Sequence, residues 1–110
     1  MLQISKNQMD VFKRQRLLMV KQEILNTLNS KFPKQAILGE VWLEEFVRCS
    51  MEAARAIRID NAMLIQRFVY ALFVLEYILK DATKLKYFAE VIMSEESIEA
   101  RLLFIEINLL

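Results

Sequence analysis

The stretch that decides the fold is residues 63–79, MLIQRFVYALFVLEYIL. From Phe68 to Leu75 it holds no charge and no strongly polar side chain. On a helical wheel its apolar residues point nearly all the way round. A helix of that kind is enclosed by other helices or sits in a membrane. Gln66, Arg67 and Glu76 interrupt the run, and it is shorter than a bilayer requires. It therefore reads as the central helix, about residues 61–80, of an all-α bundle of four to five helices.

Composition points the same way. The chain has 110 residues with one Gly and one Pro, too few turn residues for a set of β-hairpins. Its length suits a single helical domain over 1–110. Apolar residues are 55% of the chain, above the roughly 45–50% of ordinary soluble domains. A small domain has much surface for its volume, so part of that excess is expected to remain outside as a docking or self-association surface. The net charge is +1, from 15 basic and 14 acidic residues, which argues against a dedicated nucleic-acid binder. The N-terminal MLQISKNQMDVFKRQR lacks the apolar core of a secretory signal, and no membrane insertion is expected. A cytoplasmic location is the expectation.

Outward from the centre, Ser5 and Gln8 form a capping-box pattern at the start of a first helix. Leu17, Leu18, Val20, Ile24, Leu25, Leu28 and Phe32 fall within one half of its wheel, with the Lys21 stem alongside. Met9, Val11 and Phe12 do not continue that stripe cleanly. Lys13-Arg14-Gln15-Arg16 is the one basic cluster, either a solvated face or a contact for an acidic partner. Pro33 ends this helix.

The second helix is expected over about 40–57. Trp42, Leu43, Phe46, Val47, Cys49, Ser50, Ala53, Ala54 and Ile57 share one side, and Glu40, Glu44, Arg48, Glu52, Arg55 and Arg58 the other. The small residues on the first side let the central helix approach, with Cys49 among them as a core residue. Asp60 is a candidate N-cap for the central helix, and so short a link favours antiparallel packing. A shorter helix follows over about 83–93, with Tyr87, Phe88, Val91 and Ile92 as its apolar residues. The last helix starts at the Ser94-Glu95-Glu96 signal. It carries two stripes: Ile98, Leu102, Ile105 and Leu109 on one side, Leu103, Phe104, Ile107 and Leu110 on the other. A terminal helix with two apolar sides suits a partner contact. Met9, Phe12, Leu103, Phe104, Ile107 and Leu110 are therefore the candidate partner-binding residues.

Catalytic chemistry finds no footing. There is no His and a single Cys, so transition-metal sites and His-based triads lack their residues. No glycine-rich phosphate loop occurs. The carboxylate pairs Glu44-Glu45 and Glu95-Glu96 lie on faces shared with Arg and Lys, as exposed ion pairs do. No catalytic, cofactor-binding or metal residue is assigned, and an enzyme is not expected.

The order of segments carries a resemblance. MLQISKNQMDVF is followed by a basic helix ending in KFP. Then come LGEVWLEEFVRCSMEAARAIRI, IQRFVYALFVL and ILKDATKLKYFAEVIMSEESIEARL. This pattern resembles small helical proteins of bacterial type VI secretion effector operons. Phe32-Pro33, Leu43–Val47, Arg67-Phe68-Val69 and Ala100-Arg101-Leu102 are among its anchors. The chain departs from that pattern at Arg58, where the group has a glycine, and at Lys80–Lys84, where it has acidic and proline residues. The resemblance implies a binding role: an adaptor or chaperone that assists effector loading. The alternative is an immunity protein that inhibits a cognate toxin. Either way the expected partner is a protein: an effector, an adaptor or a toxin.

Overall fold

The computed structural model describes the backbone of residues 6–33 and 40–110, and the side chains of 13–33 and 41–110. Five α-helices account for it: α1 (Lys6–Lys31), α2 (Glu40–Ala56), α3 (Ala62–Phe73), α4 (Ala82–Ile92) and α5 (Ile98–Asn108). A π-helical turn, Val74–Ile78, extends α3. The Ser5 cap and the side chains of Met9, Val11 and Phe12 lie outside the described residues.

The central segment is enclosed as its all-round apolarity requires. Phe68 is 4% exposed, and Val69, Ala71 and Leu75 are fully buried. Leu72 is half-buried against the same core. Two of the three polar residues in the run, Gln66 and Arg67, face the flanking helices, and Glu76 is exposed. Gln66 Nε2 donates to Glu23 Oε2 on α1 at 2.7 Å, and Arg67 pairs with Glu106 on α5. Gln66 and Arg67 thus tie the central helix to its neighbours on two sides.

Each junction has a local cause. The α1 stripe buries Val20, Ile24, Leu25 and Leu28, and the last helical bond runs from Phe32 N–H to Leu28 O, one residue before Pro33. At the end of α2, Ile59 N–H bonds Ala54 O at 3.0 Å, the long reach of a Schellman closure. Arg58 supplies the left-handed residue at φ 68°, a conformation that favours glycine. Ile59, the residue after it, is buried and pins the turn to the core. Asn61, rather than the expected Asp60, caps α3, its Oδ1 accepting from the N–H groups of Met63 and Leu64. The Schellman turn takes up Arg58 and Ile59, and the next helix begins only at Ala62, so the cap falls on Asn61.

The π turn widens the helix after Phe73, with Leu79 N–H reaching back to Val74 O. Lys80, at φ 51°, then reverses the chain, and Asp81 caps α4 by accepting from Lys84 N–H. α5 starts later than the Ser94 signal indicates. Ser94 N–H is still bonded to Val91 O, and Ser97 is the cap, accepting from Ala100 N–H.

α2 and α3 run antiparallel, and rings from both, joined by Phe32, fill the space between them. Trp42 meets Tyr77 edge-on at 4.6 Å and Phe46 meets Tyr77 at 5.2 Å. Phe73 touches Phe46, Tyr77 and Phe32. Such edge-to-face contacts add to burial because each ring's positive rim meets a negative face.

The principal extents are 52 × 37 × 17 Å. The smallest fits two helix layers and no more. Every helix in a two-layer arrangement keeps a solvent side, so narrow stripes are buried and the edges of wider ones are not. Leu18, expected in the α1 stripe, is 63% exposed. Tyr87 on α4 is also exposed. Cys49 is exposed as well and is not a core residue. Four residues on from Glu45, it shares the polar side, with Sγ 3.6 Å from Arg48 Nη2 and 3.8 Å from Glu45 Oε1. Ala53 likewise faces out. The buried residues of this stretch are Ser50, Met51 and Ala54 instead.

Candidate protein-docking surfaces

Two surfaces combine exposed apolar side chains with charge. The first lies on α5 and the adjoining edge of α4. Leu102, Ile105 and Leu109 bury one side of α5. That orientation obliges the second stripe to face solvent: Leu103 is 53% exposed, Phe104 45% and Ile107 71%, with Leu110 beside them. Phe104 continues into a shallow depression lined by Tyr87, Val91 and Ala100. Glu90 and Glu96 stand at its rim, and Glu99 lies on the first turn of α5.

Arg101, the cation in that depression, is already engaged. Its Nη1 donates to Ile92 O at 2.9 Å and its Nε to Glu96 O. It thereby satisfies a carbonyl at the C-terminal end of α4 and holds the 93–97 connection in place. Arg101 is therefore taken up by backbone carbonyls, and Lys86, one turn before Glu90, is the nearest cation on α4.

The second surface is a trough between α1 and α2. α1 contributes Arg14, Leu17, Leu18 and Lys21, positions that share one helix face. α2 contributes Arg48, Met51, Glu52 and Arg55 with the same spacing. The helices are antiparallel: Lys13 and Arg16 adjoin Arg55 and Asp60, while the charge of Lys21 reaches Glu45. The trough has cations at both ends and apolar side chains along the middle. Arg48 is satisfied by Glu52 at 2.9 Å and by Glu45, and its guanidinium holds the Glu45 carboxyl below the usual carboxylate range. Among the described residues, no carboxylate lies within ion-pair distance of Arg14, Lys21 or Arg55.

Of the six residues singled out from sequence, Leu103, Phe104, Ile107 and Leu110 fall together on the first surface. The side chains of Met9 and Phe12 are outside the described residues. The basic cluster at Lys13, Arg14 and Arg16 is exposed. Its junction with Arg55 was missed, because it depends on an antiparallel pairing that spacing within one helix does not reveal. The matching cation–apolar–cation spacing in α1 and α2 is the signal that could have found it.

Among the described residues no group of His, Cys, Asp and Glu is arranged to hold a metal ion. No helix there is long and apolar enough to cross a membrane. A small cleft of about 180 Å³ lies between α1, α3 and α5, bordered by Thr27, Gln66, Tyr70 and the Arg67–Glu106 pair. Comparison with protein-family models, curated proteins and solved structures finds no match.

Proposed function

We propose that the chain is a protein-binding helical adaptor or chaperone, acting in the cytoplasm to assist loading of a type VI secretion effector. The observation that carries the binding role is the outward stripe Leu103, Phe104 and Ile107 on α5. Three large apolar side chains on one helix face, rimmed by carboxylates, have the composition of a recognition surface. The secretion setting is supported by the resemblance in segment order described above.

An adaptor of this kind needs no reactive group of its own. It needs a firm scaffold and a surface whose apolar area is covered when the client arrives. Side chains such as Phe104 and Ile107 would supply the anchors, and the carboxylate rim would fix orientation.

The test is co-expression with a toxin encoded beside the gene, scoring growth and secretion separately. An adaptor is expected to leave the toxin lethal but abolish its secretion when deleted. Rescue of growth by this chain alone would instead mark it as an immunity protein. Unchanged growth and secretion would remove both readings. Ile107→Asp should lose whichever activity is found without loss of the helical circular dichroism signal.

A further inference from the structure

The near-zero net charge hides a separation along the fold. α1 carries Lys6, Lys13, Arg14, Arg16, Lys21 and Lys31 against Asp10 and Glu23. The chain from Glu90 onward carries Glu90, Glu95, Glu96, Glu99 and Glu106 against Arg101. Glu106 is taken up by Arg67, and Arg101 by backbone carbonyls. What remains is a positive trough between α1 and α2 and, beyond Lys84 and Lys86 of α4, an acidic stretch from Glu90 to Glu99, each beside apolar side chains.

We infer that the α1–α2 trough of one copy receives the α5 face of a second copy. The complementarity is on both sides. Leu17, Leu18 and Met51 give the trough an apolar centre, and Leu103, Phe104 and Ile107 give α5 an apolar ridge. Lengths agree: Arg14 to Lys21 covers eight residues, about 10 Å of helix, and the Leu103–Ile107 ridge fits within it. With the ridge seated, Glu99 on the first turn of α5 and Glu96 just before its cap lie towards the Arg14–Arg55 end. This is helix-in-groove docking with charged flanks. Nucleic acid is the poorer occupant of this trough, since an apolar floor offers nothing to a phosphate backbone.

The two surfaces share no residue, so the contact is heterologous. It propagates as an open chain, or closes when two copies exchange α5 faces reciprocally. In a closed pair both α5 stripes are covered until a client displaces the second copy. The inference does not depend on the secretion reading, because it requires no partner but this chain.

The test uses two charge-reversed forms of the full chain, Arg14→Glu/Arg55→Glu and Glu96→Lys/Glu99→Lys, all at exposed positions. Sedimentation equilibrium is measured up to about 100 μM, a range that detects even weak association. The wild type is expected to self-associate, and to dissociate in about 1 M salt, where charges are screened beyond roughly 3 Å. Each variant alone should lose at least about tenfold in self-affinity. An equimolar mixture of the two should recover association, because the intact trough meets the intact α5 face and the two reversed surfaces also carry opposite charge. Leu18→Ser and Ile107→Ser give a second pair should a charge variant fail to fold. A monomeric wild type overturns the inference. So does association that survives both variants, or a mixture that stays monomeric. A labelled acidic amphipathic peptide that binds the trough more tightly than a second copy does would also overturn it, assigning the trough to a foreign partner.

Discussion

Arg67 of the central helix and Glu106 of the last helix form a two-point ion pair, with Arg67 Nε donating to Glu106 Oε2 at 3.1 Å and Nη2 to Oε1. The paired hydrogen bonds hold the Arg67 guanidinium more strongly protonated than usual. Both side chains remain about one-third exposed, 33% and 32%, so solvent screens much of the attraction. The pair joins α5 to the central helix beside the buried Leu102 and Ile105, whose burial sets which stripe of α5 faces outward.

A double-mutant cycle on Arg67→Ala and Glu106→Ala is expected to give a coupling energy of about 0.5–1 kcal/mol in urea denaturation. A coupling above about 2 kcal/mol would mean that the pair is better shielded than its exposure indicates.

Arg58 occupies the left-handed position of the α2 closure, where a Cβ is unfavourable. Arg58→Gly should therefore stabilise the fold by about 1 kcal/mol, despite the added freedom of the unfolded chain. A lower thermal midpoint would show that the Arg58 side chain contributes more than its backbone strain removes.

Asn61 satisfies two otherwise free N–H groups at the start of α3. Asn61→Ala is expected to destabilise by about 1 kcal/mol, while Asn61→Asp retains most of the cap. Asp60→Ala, one position away, should change the midpoint far less; equal losses at both sites would refute the assignment of the cap.

Two groups set the pH response. Arg48 lowers the folded-state pKa of Glu45 below its ordinary 4.5, chiefly through hydrogen bonding. Its contribution is present above that value and disappears as pH falls through the lowered one. Arg48→Gln should make the thermal midpoint less sensitive to acid in that window. Tyr77 is shifted the other way, above 10.0, by burial first and the Glu76 charge second. Its contribution is present below the ordinary value and disappears as pH rises through the raised one. Phenolate absorbance should show one of the three tyrosines titrating after the others. A single shared step would contradict the shift.

The fold class was legible because the central run is apolar on every side while its neighbours are apolar on one. The helix boundaries were legible to within a few residues, since Pro33 and the 80–84 segment are strong breaks. What escaped depends on packing. Leu18 and Cys49 lie at the edges of apolar arcs, and only the thickness of the molecule decides whether an edge is covered. The aromatic cluster around Phe73 and Tyr77 joins three segments far apart in sequence. The candidate surface on α5 was visible as a second stripe. The trough was not, because each helix supplies only half of it.

The wide turn at Val74–Ile78 has a consequence for how this gene can tolerate change. A π turn holds one residue more than the α-helical turn it replaces. Loss of a single codon there would leave an ordinary helix, with Lys80 and Asp81 still able to turn the chain. The same loss within Ile65–Phe73 would rotate every following side chain by about 100° and scramble the core. Single-codon deletions scanned across the segment should therefore be survivable in one short window and destructive on its N-terminal side.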